Sequence, residues 1–326
     1  MKIVFFHNAK LPVLKYGGIE RILYWHMVEL VKQGHEVVYI GHPESQVKDK
    51  GIQLIPFDPK VDANFEHYLP ENLDILHLSV NATIKSGVPH LVTVHGNGQV
   101  GEIFPENSVF VSKKHAEIHG SDQFIHNALD LDEYPYSGPH SNSKWNKFAF
   151  LAKASWRVKN LNHCLKAIKY TKKHLDILGG RTFWPSRYVK SHGQVGGEEK
   201  IKLLSQCDAL LFPVRWHEPF GLAMIEAMAL GLPVIGSPYG SLPEIIKPHV
   251  GVTCQTFEEF QEVVNSDRPS FFKSEEIRGY VEEKFAIKDY TRKYLELYRQ
   301  VTKKIPLSPS RPSLIGEKRA EELLPF

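Results

Sequence analysis

Short apolar runs alternate along the chain with longer stretches whose apolar residues recur at helical spacing. KIVFFH, near the start, is rich in β-formers and is followed by Gly17 and Gly18. Ile19, Ile22, Leu23, Met27, Leu30 and Val31 then fall on one stripe, with Gly34 placed to end the helix. EVVYIG (36–41), LDILHLS (73–79) and HLVTVHG (90–96) read as further strands. Their runs are continuous rather than alternating, as expected for strands buried on both faces of a parallel sheet.

The alternation restarts at KFAFLAK (147–153). A helix carrying Leu161, Cys164, Leu165 and Ile168 follows, then strands over LDILGG (175–180), DALLFPV (208–214) and LPVIGS (232–237). Helices are predicted over 198–207 and 219–230. Two successive βα series predict an α/β chain of two Rossmann-like halves. Between them PYSGPHSNSKWNK (135–147) has little to bury, which divides the chain into 1–135, a linker over 136–147, and 148–286. A final helix over 287–302, with Tyr290, Tyr294, Leu297, Tyr298 and Val301 on one face, is predicted to cross back to the N-terminal half as a 287–304 segment. The Pro/Ser-rich stretch 305–326 reads as a mobile or surface tail.

Composition narrows the classes. With 42% hydrophobic residues among 326, the chain has ample core material and is not disordered. The 40 Lys+Arg against 37 Asp+Glu leave +3, too little to indicate nucleic acid by bulk charge. Three separated cysteines spell no disulfide framework and fit a reducing cytoplasm. The apolar runs are too short for a signal-peptide core or a membrane span. SKKH (112–115) and the terminal EKRAEELL allow at most weak, reversible contact at the inner membrane face.

The stretch from Arg215 to Gly231 concentrates the chemistry. Pro219 suits a first helical turn and Gly231 a helix end, which puts Glu218 at the entrance and Glu226 inside a nearly all-apolar helix. Glu226 has Leu222, Ala223, Ala229 and Leu230 one turn away, so its partner is either a Lys or Arg from another element or a ligand hydroxyl. The free N–H groups around Phe220, Gly221 and Leu222 predict an anion site. Several candidates carry plainer readings: Gly17 and Gly18 as a simple turn, His95 as a core histidine, and His115 and His119 as a pair without a third metal ligand. Asp130-Leu131-Asp132 spells a D-x-D string, for which a structural role is expected.

E-P-F-G-L-A-M-I-E, from Glu218 to Glu226, resembles the E-x7-E motif of the retaining glycosyltransferases of family 4, which have the GT-B fold of two Rossmann-like domains facing across a cleft. Gly17-Gly18-Ile19-Glu20 resembles that family's N-terminal loop, VTVHG places His95 at its active-site histidine, and IHNALD (125–130), HGQV (192–195), CDALLFP (207–213) and GLPVIGSPYGSLPEII (231–246) follow in order. The resemblance spans roughly residues 1–302. It implies a nucleotide-diphosphate sugar donor between the domains and an acceptor, a glycan, glycolipid or small metabolite, on the N-terminal side. It places the diphosphate near Phe220, Gly221, Leu222, Lys153 and Lys159, the ribose on Glu226, and the sugar hydroxyls near Glu218 and His95, with Gly17 and Gly18 letting the backbone approach a phosphate or sugar of the donor. No metal cofactor is implied, because Lys153 and Lys159 supply the charge. Lys153 stands where the family has Arg, so either Lys153 serves as a point charge or Arg157 takes part of the task. The stretch 180–189 is shorter than the family's, with Tyr188 and Val189 expected at the base. The alternatives are a nucleotide-sugar epimerase of the same fold and a non-catalytic GT-B module that binds a sugar nucleotide; a nicotinamide dehydrogenase is disfavoured, since no G-x-G-x-x-G turn follows the first strand.

Overall fold

The computed structural model describes residues 1–15, 17–138, 144–267, 271–315 and 322–326. It resolves into two compact units, each built on a six-stranded parallel sheet. Unit 1 comprises chiefly 17–128 with the first strand and 287–317. Its strands are β1 (Lys2–His7), β2 (Glu36–Gly41), β3 (Gln53–Pro56), β4 (Ile75–Leu78), β5 (His90–Val94) and β6 (Ser108–Phe110), in the order β3-β2-β1-β4-β5-β6. The helices α1 (Gly18–Lys32) and α2 (Lys113–Glu117) follow β1 and β6. The inner four residues of β1, IVFF, are all buried, because both faces of a central strand are covered.

Unit 2 comprises chiefly 129–286. It contains β7 (Lys147–Leu151), α3 (Leu161–Ile168), β8 (His174–Leu178), β9 (Val189–Gly193), α4 (Gly197–Leu204), β10 (Ala209–Phe212), α5 (Leu222–Ala229), β11 (Val234–Gly236), α6 (Leu242–Ile245), β12 (Gly251–Thr253), α7 (Phe257–Asn265) and α8 (Ser274–Lys284). The strand order is β12-β11-β10-β7-β8-β9. Each order reverses beside its first strand, and ligands of open α/β sheets bind at the carboxyl ends of the strands at that point.

The last helix, α9 (Ile287–Thr302), is part of unit 1. Its tyrosine stripe meets a buried polar network. His26 on α1 bonds Thr291 Oγ1 and Tyr298 OH, each at 2.9 Å. His77 on β4 bonds Tyr298 OH at 2.6 Å and Thr93 Oγ1 at 2.7 Å, and Thr93 bonds Tyr294 OH at 2.8 Å. Burial lowers His26 to about 3 and holds His77 well below the usual histidine range, so both rings are neutral.

Two boundaries differ from the sequence expectation. Unit 2 begins at Leu129 rather than after 135, because Leu129 N–H bonds Phe285 O at 2.9 Å and Arg278 grips Tyr134 O at 2.7 Å. The expected linker of 136–147 falls partly on 139–143, outside the described residues, and Lys147 already belongs to β7. The tail is not free at its described positions. Phe104 N–H bonds Pro312 O at 2.8 Å within unit 1, and residues 322–326 lie on unit 2, where Leu324 N–H bonds Arg215 O at 2.8 Å and Arg215 Nε bonds Leu324 O at 2.6 Å. Tyr239 OH donates to Pro325 O, and the Phe326 ring lies 5.8 Å from that of His163. No helix among the described residues is long and apolar enough to cross a membrane.

Candidate active site

In unit 2 the polar residues gather at the carboxyl edge of the sheet. The loop after β7 bends back because Gly179 and Gly180, at the end of β8, have no side chains: a Cβ on Gly179 would stand 2.2 Å from Ala152 O. The loop ends at Asn160, in the left-handed region at φ 60, whose Nδ2 donates to Pro213 O at 2.8 Å. Arg215 N–H bonds Val158 O at 2.8 Å. These bonds bring Lys159 against the segment that follows β10.

There Glu218 Oε2 accepts from Lys159 Nζ and from Trp216 Nε1, each at 2.6 Å. Glu218 is buried, and the Lys159 ammonium lies 5.0, 5.5 and 5.6 Å from the ring centres of Trp216, Phe212 and Trp156. The aromatic faces favour the cation, and the carboxylate pairs with it. The backbone of Glu218 is fixed from the far side. Gly240 (φ 64) approaches so closely that a Cβ would stand 2.3 Å from Glu218 N, and Ser241 N–H bonds Glu218 O at 3.0 Å. This is the physical requirement behind the glycine of SPYGSLPE.

Glu218 does not stand at a helix entrance. Pro219 and Phe220 lie outside the helix, Gly221 takes φ 82, and α5 starts at Leu222. A side chain at Gly221 would meet Met224 and the Phe212 ring, so packing and backbone both demand glycine. No side chain caps α5 among the described residues, and Gly221, Leu222 and Ala223 are its least buried turn, consistent with an anion-accepting start.

Glu226 has found the first of its two expected kinds of partner. Its Oε1 accepts from Lys200 Nζ on α4 at 2.6 Å and from Tyr134 OH at 2.5 Å, and Lys200 also lies 3.2 Å from Tyr134 OH. Both charged side chains are 4% exposed. Of the other expected donor residues, Lys153 and Arg157 are exposed on the loop that carries Lys159. Tyr188 and Val189 are not brought to this edge. Val189 opens β9 and pairs with Leu175 near the start of β8, so both sit at the amino ends of the strands, where Tyr188 packs on His174 at 5.1 Å. The carboxyl end of β9 instead presents Gly193 and then Gln194.

In unit 1, His95 follows β5 and is partly exposed. Desolvation lowers its pKa, His7 adds to this and Glu20 opposes it. The loop after it is clamped by two histidines. His115 Nε2 bonds Gly96 O at 3.1 Å, and His119 Nε2 accepts from Gly98 N–H at 2.9 Å while its Nδ1 bonds His115 O at 2.7 Å. Each ring is engaged by backbone, so the pair holds the loop. Asp130 likewise caps a turn, accepting from Asp132 N–H at 3.2 Å. The Gly17-Gly18 loop opens α1, and the sequence reading passed over its neighbour His7, which ends β1. Lys200 and Tyr134 were missed as well, since a partner from another element has no fixed spacing, and Trp216, although inside the stretch from Arg215 to Gly231, was given no role.

Residues 185–266 match the family model described as Glycosyl transferases group 1. An uncharacterized 41.2 kDa protein in the cps region of Klebsiella pneumoniae is 34% identical over 116 residues, covering 34% of this chain and 32% of that protein. The matched stretch thus spans about a third of that relative's length. Among solved structures, AviGT4, a glycosyltransferase involved in avilamycin A biosynthesis, superposes with a TM-score of 0.75 at 21% identity, covering 96% of this chain and 99% of that one.

The chain has the GT-B fold.

Anabaena Alr3699/HepE, solved in complex with UDP and glucose, shares this fold with a TM-score of 0.68 at 15% identity, over 91% of this chain and 98% of that one. The matched segment 185–266 contains Lys200 on α4, Trp216, both glutamates and Ser241, whereas Lys159 and Tyr134, the remaining members of the two clusters described above in unit 2, lie outside it.

Proposed function

We propose that this protein is a retaining glycosyltransferase that moves a sugar from a nucleotide-diphosphate donor to a hydroxyl acceptor. The observation that carries the reading is the Lys159–Glu218–Trp216 cluster, lying within and beside the segment that matches group 1 glycosyltransferases. The donor diphosphate binds at the start of α5 with Lys159 and Lys153 nearby, Glu218 orients the transferred sugar, and the ribose lies at Glu226, whose carboxylate Lys200 and Tyr134 hold in place. Breaking the bond between the sugar and the diphosphate puts charge on the leaving oxygen, and the lysines with the α5 N–H groups stabilise it without a divalent metal. The UDP complex of HepE supports a nucleotide as ligand. The acceptor, a glycan, glycolipid or small metabolite, binds on unit 1 beside His95.

The test is calorimetric titration with UDP, GDP and ADP in EDTA, on wild type and Lys159→Ala. The reading predicts that one nucleotide binds without metal and that the variant weakens it by about 1.5–3 kcal/mol, one charge-assisted hydrogen bond. Binding that requires Mn²⁺ and is lost on changing Asp130 would reverse the metal assignment.

A further inference from the structure

On the face of the unit 1 sheet covered by α1 and α9, Phe5 stacks near His77 at 4.9 Å, and His77 bonds Thr93. Strand residues two apart share a face, so His7, Ser79 and His95 form the next layer toward the carboxyl edge. Phe6 pairs with Leu78, which sets His7 beside Ser79 where the strand order reverses between β1 and β4. Deeper on this face His26, His77, Thr93, Tyr294 and Tyr298 are all paired. At the edge, His7 Nδ1 and Ser79 Oγ are buried polar atoms with no hydrogen-bond partner among the described residues. These two flank the carboxyl edge at the strand-order reversal, the place where open α/β sheets bind ligands.

Glu20 reaches this edge from the first turn of α1. Its Oε1 lies 3.8 Å from His7 Nε2, longer than a direct hydrogen bond, and its side chain is 26% exposed. His7 beside it holds the carboxyl below its ordinary value, against burial. Gly17 makes room for it: a Cβ there would stand 2.8 Å from Glu20 Oε2 and 3.0 Å from Val13 Cγ2, and φ is 148. The glycine of the GG-x-E loop therefore leaves room for this chain's own carboxylate.

We propose that Glu20 is the acceptor-binding residue of unit 1, its carboxylate accepting a hydrogen bond from the hydroxyl that receives the sugar, with His7 as the positioning residue behind it. His7 Nδ1 and Ser79 Oγ then serve neighbouring hydroxyls. The ligand class is a polyol, whose hydroxyls can donate to the Glu20 carboxylate and meet His7 Nδ1 and Ser79 Oγ. This inference rests on the glycosyl-transfer reading above.

Water is itself a hydroxyl acceptor, so hydrolysis of the donor reads the site without knowledge of the natural acceptor. Nucleotide release from UDP-glucose, UDP-galactose, GDP-mannose and ADP-glucose is measured for the full chain as wild type, Glu20→Gln, His7→Ala and His7→Gln, with affinity for UDP, GDP and ADP and the unfolding midpoint taken alongside. Glu20→Gln is expected to slow hydrolysis of the donor that turns over by on the order of 100-fold, with nucleotide affinity and midpoint unchanged. His7→Ala is expected to lose roughly tenfold, and His7→Gln, which keeps an N–H toward the carboxylate, to recover most of it. Wild-type hydrolysis by Glu20→Gln overturns the assignment of Glu20 and leaves the glycosyl-transfer reading standing. A His7→Gln as slow as His7→Ala removes His7 from its positioning role. A wild type that turns over none of the four donors overturns the reading and this inference together.

Discussion

Lys200 Nζ lies 2.6 Å from Glu226 Oε1 in the interior of unit 2, with Tyr134 OH on the same oxygen. A carboxylate that an apolar helix could not satisfy by itself is neutralised from α4, twenty-six positions earlier. Breaking one side of such a pair leaves a buried charge uncompensated. Glu226→Gln and Lys200→Met should each cost about 3–5 kcal/mol in urea unfolding, whereas the double variant should cost clearly less than the sum. Additive losses would show that the two charges do not depend on each other. Because of this pair, any loss of nucleotide affinity in Glu226→Gln has to be measured where the variant is fully folded.

The His26–His77 network should make stability depend on pH. Both rings are neutral in the fold and titrate near 6.5 when unfolded, so below that pH the unfolded chain binds more protons. Their contribution is complete above pH 6.5 and is lost as pH falls from there toward the folded values. The expected slope is up to about 1.4 kcal/mol per pH unit for each ring, read from urea unfolding at pH 7, 6 and 5. A flat profile over that range would contradict the network as described.

The loop after His95 should loosen when its clamp is removed. His119→Ala leaves the buried Gly98 N–H without its acceptor, a cost of about 1–3 kcal/mol, and should speed hydrogen exchange at Gly98. His119→Gln offers an amide oxygen in place of Nε2 and should restore protection. Equal exchange in all three proteins would remove His119 from this role.

Residues 322–326 hold the segment leading to Glu218 through both bonds between Leu324 and Arg215. Deleting them should lower stability by about 1–3 kcal/mol and lower turnover, with nucleotide affinity less affected. The check is steady-state kinetics with thermal unfolding on the truncated chain; unchanged values for both would make the contact incidental.

The βα alternation was legible because central strands such as IVFF and ALLF are uninterrupted apolar runs. Short or edge strands were not. β3, with QLIP, and β6, with SVF, carry too few residues for a pattern, and the α7–α8 stretch is dominated by charged surface positions. Helical periodicity placed Glu226 inside a helix correctly, but it extended that helix through Pro219 because the pattern holds no sign that Gly221 is in the left-handed region. Tyr188 and Val189 were displaced for a related reason: spacing gives proximity to a strand, while only the strand's start shows which end of the sheet a residue occupies. Lys200 could not be assigned to Glu226 from sequence, since a pair between α4 and α5 depends on how two helices dock.

The central claim is that Glu218 works in transfer from a nucleotide-sugar with retention. The most direct measurement follows the anomeric proton by NMR while wild type and Glu218→Gln act on UDP-glucose, UDP-galactose, GDP-mannose and ADP-glucose in EDTA, with folding verified by circular dichroism. The account predicts that wild type turns over one of these α-linked donors, that the first-formed sugar product is also α, and that Glu218→Gln is slower by on the order of 100-fold or more. A β product, or a Glu218→Gln variant as fast as wild type, would contradict it.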